Sequence, residues 1–194
     1  MNRRMIECNK CQECLNQKIL LDFQNNADIM VIGLSARIKK YEDEIPLDSR
    51  TRSGKIIDAF ENIAQKHCMS IYRTNLVKCA PIDSEKRLRY PNDKEINACF
   101  EKLTDEINNI NPKLIILLGN IVRESFQTNF NIYNIHNIYN MYNRQWKSGI
   151  LTVMPLYFYS FLSLSRSVLF SFFFFSSFFT YLMVVLIFAC PSTL

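Results

Sequence analysis

Four short apolar runs alternate with segments of helical periodicity, and this alternation restricts the fold more than any other feature. The runs are "ADIMVIGLS" (Ala27–Ser35), "SIYRTNLV" (Ser70–Val77), "KLIILLGN" (Lys113–Asn120) and "GILTVMPL" (Gly149–Leu156). Strands that alternate with helices form βαβ units, and near-continuous apolar strands are covered on both faces. The pattern therefore predicts an α/β protein: a three-layer α/β/α sandwich with a short, mostly parallel four-stranded sheet.

Three helices are predicted between these strands. Ser53 is the expected N-cap of the first helix, Asn92 and Glu95 are spaced as a capping box for the second, and the third spans Ile121 to Thr128. The apolar stripes of the first two helices are Ile56, Ile57, Phe60, Ile63, Ala64 and Ile96, Phe100, Leu103, Ile107, Ile110. Because ligands of such sheets bind at the carboxyl ends of the strands, the loops that follow the strands are the expected site.

The composition changes near residue 155. After Lys147 the single charged residue is Arg166. We predict a globular domain over residues 1–155, incomplete at its C-terminal end, and a hydrophobic tail over 156–194. The segment Asn129–Trp146 is rich in Asn, Ile and Tyr and is interpreted as a surface connection, with a base-stacking platform as the alternative. The N-terminus has no apolar signal region, which favours a cytoplasmic protein, and we expect a monomer.

The tail allows three interpretations. Residues 168–189 are uncharged and long enough to cross a bilayer as a helix, so a C-terminal membrane anchor is one of them. A reading-frame shift near Pro155 is the second, and a buried hydrophobic element is the third. The nucleotide sequence would distinguish the second from the other two.

The chain has seven cysteines and no secretory signal, a combination that favours metal or redox chemistry over a disulfide framework. Cys11 and Cys14 form a Cys-x2-Cys pair, whereas Cys79 ends "NLVKC" and Cys99 lies in "EINAC". A turn after the second strand can bring Cys79 close to Cys99. Four thiolates would suit Zn²⁺ or an iron–sulfur cluster. The alternative is that Cys79 and Cys99 are ordinary buried small residues, and Cys8 is either a substitute ligand or a bystander.

The order of these motifs resembles one enzyme family. Cys-x2-Cys-Leu, a strand ending in Ile-Gly, "TNLVKCAP", "RYPNDKEINAC" and "INPKLIILLGN" together resemble the iron–sulfur, family 4-like branch of the uracil-DNA glycosylase superfamily. The resemblance implies a [4Fe–4S] cluster held by Cys11, Cys14, Cys79 and Cys99, with zinc as the alternative. It also implies a DNA-repair hydrolase that flips uracil out of DNA and hydrolyses its N-glycosidic bond.

The same resemblance implies contacts with the base, and basic residues predict contacts with DNA. Asn75 matches the position whose amide reads uracil, since an amide offers a donor and an acceptor together; a turn-forming role is the alternative. Gly33, Leu34 and Ser35 match the loop that holds the base. Basic residues near a helix N-terminus and in the loop after the second strand are further predicted to contact DNA phosphates, with a solvated surface as the alternative: Arg50, Arg52, Lys55, Lys86, Arg87 and Arg89.

Both catalytic motifs of the family are altered. Leu34 stands where the family has a water-activating acid, and the nearby substitutes are Glu42, Asp43, Glu44 and Asp48. "LTVMPLYFYSFLSLS" replaces the expected His-Pro-Ser-like motif, and neither His67 nor His136 fits it. The catalytic residues therefore stay unassigned, and impaired activity is expected. The alternatives are a non-catalytic iron–sulfur nucleic-acid-binding module and a zinc-stabilised, membrane-anchored α/β protein.

Overall fold

The structure of the chain, a computed structural model, describes residues 4–6, 8, 10–11, 14–15, 19–21, 26–41, 43–130, 142–146 and 149–156. In chain order the elements are β1 (Arg4–Ile6), β2 (Cys14–Leu15), β3 (Ile19–Leu21), β4 (Ile29–Ser35), α1 (Arg52–Lys66), β5 (Ile71–Val77), β6 (Ala80–Pro81), α2 (Asp93–Ile110), β7 (Leu114–Leu118), α3 (Asn120–Phe130), β8 (Tyr142–Trp146) and β9 (Gly149–Leu156).

The main sheet has the strand order β5-β4-β7-β9-β8. Strand β4 pairs in parallel with both β5 and β7, and β7 pairs in parallel with β9. The predicted α/β class and mostly parallel sheet are therefore confirmed, and all four predicted strands lie in the sheet. The structure adds β8, an antiparallel edge strand within the segment that we interpreted as a surface connection. An edge strand needs no continuous apolar run, so its polar sequence gave no strand signal.

Side chains on β4 alternate between two apolar layers. Ile29 and Val31 pack with Ile57 and Phe60 of α1. On the other face, residues of β4 and β5 pack against α2 and α3 through the set Met30, Ile32, Leu76, Phe100, Leu103, Ile107, Val122 and Phe126. Because helices cover both faces, the three-layer arrangement follows directly from this alternation.

The helix caps partly match the sequence prediction. The capping box is confirmed: Asn92 Oδ1 accepts the backbone N–H of Glu95, and Glu95 Oε2 accepts that of Asn92, each at 2.9 Å. The N-cap of α1, however, is Thr51 rather than Ser53, and Thr51 Oγ1 accepts the N–H of Gly54 at 2.9 Å. A Cβ on Gly54 would lie 1.8 Å from the backbone oxygen of Asp48, so the preceding loop packs tightly against the first turn of α1.

None of the helices in the described part of the chain is long and apolar enough to cross a membrane. The uncharged stretch 168–189 lies outside the described residues, as does His136.

Candidate functional site

A cavity of about 200 Å³ opens at the carboxyl ends of β4 and β5. Its lining comes from the two strand ends, the loop after β4 and the start of α1: Ser35, Ala36, Arg37, Lys39, Glu44, Ile45, Pro46, Leu47, Asp48, Thr51, Ser53, Thr74, Asn75 and Lys78. This is the edge of the sheet at which the sequence predicts a ligand. The cavity includes two of the predicted substrate contacts, Ser35 and Asn75.

Gly33 lets the Asn75 amide lie against the neighbouring strand. The two residues are register partners on β4 and β5. A Cβ on Gly33 would lie 2.5 Å from Asn75 Oδ1 and 3.0 Å from Leu47 Cδ2. Any larger residue would therefore displace the Asn75 side chain or the loop that covers it.

Leu34 does not line the cavity. Its partly buried side chain packs against the core layer formed with α2 and α3. Successive side chains of a strand point to opposite faces, so Gly33 and Ser35 share the cavity side and Leu34 lies on the other. The structure thus gives no support to Leu34 as a base contact, and strand alternation was the signal in the sequence that could have excluded it.

Two buried carboxylates lie in the cavity wall, each held by an arginine. The Arg37 guanidinium donates to both carboxylate oxygens of Glu44, at 2.8 and 3.1 Å, and Arg50 donates to both oxygens of Asp48, at 2.7 Å each. These bonds hold the pKa of Glu44 below its usual value and that of Asp48 well below it. Both acids therefore remain ionised near neutral pH. Of the other predicted substitutes, Asp43 is exposed and pairs with Arg50, and residue 42 lies outside the description.

Acidification should weaken the loop through Asp48. Its folded-state pKa lies below the unfolded value of about 3.9, so its contribution to stability is complete above that pH and is lost as the pH falls toward the folded value. We expect Asp48→Asn to lower the melting temperature by roughly a few degrees at pH 7. The melting temperature of this variant should also fall less than that of the wild type between pH 6 and pH 3. The exposed Asp105 provides a matched control as Asp105→Asn. An Asp48→Asn protein with the wild-type pH dependence would contradict the prediction.

The six predicted DNA-contacting cations fall into two groups. Arg52, Lys55 and Lys86 are exposed, the first two on the first turn of α1. Arg50, Arg87 and Arg89 instead form ion pairs that hold loops in place. Arg50 binds Asp48 and lies 4.8 Å from the centre of the Tyr41 ring.

Arg87 and Arg89 hold the loop between β6 and α2. Arg87 pairs with Asp83 and Glu85. Arg89 binds Glu95 and also donates to a backbone oxygen within its own loop. The pair of Arg89 with Glu95 ties this loop to the first turn of α2.

The predicted metal ligands lie close together on three segments. Cys8, Cys11, Cys14 and Cys79 form one buried cluster, in which antiparallel pairing of β2 with β6 places Cys14 opposite Pro81. Cys99, from α2, is also buried and exchanges a side-chain hydrogen bond with Cys79. All five thiols are free. Cys8 thus lies within the group as a fifth sulfur.

The thiols of this cluster have different environments. Hydrogen bonding to Cys99 raises the pKa of Cys79 and lowers that of Cys99, and burial raises the pKa of Cys14 to about 12. Burial raises the pKa of a thiol and a nearby cation offsets that cost: beside Lys102, the pKa of Cys8 lies below its usual value despite burial. The soft-donor chemistry of these thiols fits an iron–sulfur cluster or zinc. Among the described residues, however, no three His, Cys, Asp or Glu side chains are arranged ready to hold one metal ion.

Comparisons with known proteins match the chain to one enzyme superfamily. The family model of the uracil DNA glycosylase superfamily matches residues 21–182. A type-4 uracil-DNA glycosylase of Saccharolobus solfataricus is 32% identical over 119 residues, which cover 58% of this chain and 52% of the relative. One of Thermotoga maritima is 25% identical over 119 residues, which cover 61% of this chain and 60% of the relative. The chain therefore spans between half and two thirds of the length of each of these relatives.

Proposed function

Because the chain belongs to the uracil DNA glycosylase superfamily, we propose that it binds uracil in DNA and hydrolyses its N-glycosidic bond, as a base-excision repair enzyme of low turnover. One observation carries this proposal: the buried Asn75 amide lines a small cavity at the carboxyl ends of β4 and β5. The amide can donate to uracil O4 and accept from N3–H. A base must leave the duplex to reach such a cavity, so DNA is the proposed partner.

Glu44 and Asp48 are the carboxylates best placed to assist the reaction. Positive charge develops on the sugar as a glycosidic bond breaks, and a carboxylate that stays ionised can stabilise it. Their lowered pKa values make them weak bases, so water activation would be inefficient. With Leu34 on the opposite face of β4, slow hydrolysis is the expected consequence.

We also propose that Cys11, Cys14, Cys79 and Cys99 hold a [4Fe–4S] cluster, with zinc as the alternative. The cluster would supply a structural link rather than redox chemistry in hydrolysis. The residues around it would fix the N-terminal segment, β6 and α2 to one another. Arg52, Lys55 and Lys86 are the proposed phosphate contacts, since they are exposed, whereas the paired arginines hold the loops that present them.

A non-catalytic nucleic-acid-binding module is the second candidate. Leu34 favours it, because a partly buried leucine that packs against the core layer stands where the resemblance implies an acid. Monomeric state, cytoplasmic localisation, the domain boundary at residue 155 and a membrane-anchoring or frame-shifted tail remain predictions.

Release of free uracil tests the proposal and separates the two candidates. The full chain is incubated with end-labelled oligonucleotides that differ only in one uracil or thymine, and abasic sites are cleaved with alkali. We expect slow cleavage at uracil and none at thymine. Preferential binding of a 2′-fluoro-2′-deoxyuridine oligonucleotide, whose glycosidic bond resists hydrolysis, without any release would favour the binding module. Equal binding of both bases, with no release, would overturn the proposed function.

A further inference from the structure

A buried ion pair lies next to the proposed base site. Lys78 Nζ and Glu106 Oε2 are 2.6 Å apart, and each side chain is 3% exposed. The ammonium group also donates to Thr74 Oγ1 and to the backbone oxygen of Asn75, both at 2.7 Å. Thr74 Oγ1 in turn donates to Glu106 Oε2 at 2.8 Å. All three ammonium protons of Lys78 are therefore used within this network.

The network holds the peptide that carries the base-reading side chain. Strand β5 is at the edge of the main sheet, where half of the backbone polar groups lack a strand partner. Lys78 supplies a charge-assisted hydrogen bond to the Asn75 carbonyl at this edge. The cross-strand neighbour Gly33 leaves the Asn75 side chain close against β4, so both the backbone and the amide of Asn75 have fixed surroundings.

Stability alone gives a weak reason for this arrangement. Apolar residues of similar volume commonly replace a buried ion pair without loss of stability. Glu106 Oε1 is moreover buried without a hydrogen-bond partner among the described residues, which is unfavourable in a purely structural element. A buried polar atom without a partner needs an explanation in a native protein, and a functional role is one such explanation.

Lys78 also connects the cavity with the cysteine cluster. It directly precedes Cys79, and its backbone N–H donates to the sulfur of Cys99. One residue therefore contacts the base-reading strand end through its side chain and the cysteine cluster through its backbone.

We propose that Lys78 is a positioning residue, which holds Asn75 in register with a flipped uracil through its buried network with Thr74 and Glu106. This inference rests on the proposed function and assigns Lys78 no contact with the reacting atoms. The positive charge of Lys78 is neutralised by Glu106, and its donors are all engaged, so it orients Asn75 rather than stabilising the leaving base.

Two sets of variants test the proposal in the full chain. The double variant Lys78→Met/Glu106→Leu replaces the pair by apolar groups and avoids an unpaired buried charge. Thr74→Val removes one hydroxyl while preserving shape, and Thr74→Ser, which keeps the hydroxyl, is its matched control. If the double variant fails to fold, the comparison of Thr74→Val with Thr74→Ser still tests the proposal.

Two readouts separate positioning from mere stability. The first is the side-chain amide resonance of Asn75 in ¹⁵N–¹H spectra, assigned by its loss in Asn75→Ala. The second is the ratio of Kd values for thymine and 2′-fluoro-2′-deoxyuridine oligonucleotides. We expect the double variant and Thr74→Val to unfold cooperatively, to shift this resonance and to lose about tenfold in the Kd ratio. Thr74→Ser should behave as the wild type.

An unchanged Asn75 resonance and an unchanged Kd ratio in folded variants would overturn the positioning role. A shifted resonance in the variants, combined with a wild-type Kd ratio near one, would instead overturn the proposed function and leave the positioning role standing. The two failures are therefore distinguishable.

Discussion

Replacement of Cys79 by alanine is expected to abolish metal binding and to lower the melting temperature by roughly 10 °C or more. The Cys79 side chain is 1% exposed and packs in the cluster with Cys8, Cys11 and Cys14. Its loss leaves a void and removes a proposed ligand at the same time. Because the free energy of metal binding is added to that of folding, the loss of the ligand should dominate.

The measurements are the iron, sulfide and zinc contents of protein purified without oxygen, together with thermal unfolding. Absorbance near ~400 nm would identify thiolate-bound iron–sulfur, and a colourless zinc-loaded protein would identify the alternative. Cys68→Ala is the matched control, because Cys68 is a free, exposed thiol at the end of α1. Equal metal content and equal melting temperatures in the two variants would remove Cys79 from the ligand set.

Local sequence signals predicted four strands of the sheet but not the antiparallel edge strand β8. Strands β4, β5, β7 and β9 are visible in the sequence as mainly apolar runs, which are typical of parallel strands, although β5 also contains Arg73, Thr74 and Asn75. Strand β8 reads Tyr-Asn-Arg-Gln-Trp, and it is a strand because β9 pairs with it. The N-cap of α1 was likewise not predicted correctly from the sequence. "SRTRSG" contains several capping residues, and the structure shows that Thr51 is the one that accepts the N–H of Gly54.

Residues of the candidate site could be predicted from the sequence where they belong to short motifs. Asn75 and the cysteines could be located from their order along the chain. The ion pair of Lys78 with Glu106 could not, because its partners are 28 residues apart on different elements. Nor did the sequence show that Arg37 and Arg50 would hold Glu44 and Asp48 as buried anions. These pairings depend on how the loop after β4 folds over the strand ends, which a linear pattern does not encode.

Asn75→Asp should remove the preference for uracil, by about 100-fold or more in the Kd ratio of thymine to 2′-fluoro-2′-deoxyuridine oligonucleotides. Asp has the shape of Asn, so the close approach of Gly33 is preserved. The carboxylate, however, replaces the donor to O4 by an acceptor, and it adds an anion to a cavity wall that already contains Glu44 and Asp48. A buried acceptor facing a lone pair costs more than a lost hydrogen bond.

Asn62→Asp makes the same change on the exposed surface of α1 and should leave the ratio unchanged. The Kd ratio and the melting temperature are measured for both variants. If Asn75→Asp melts lower but still prefers uracil, then its amide does not read the base. The cavity would then have to select uracil through its shape, with Ser35 and Leu47 among the residues of its wall. A joint loss of uracil preference and uracil release, with folding intact, would instead tie both to this single amide.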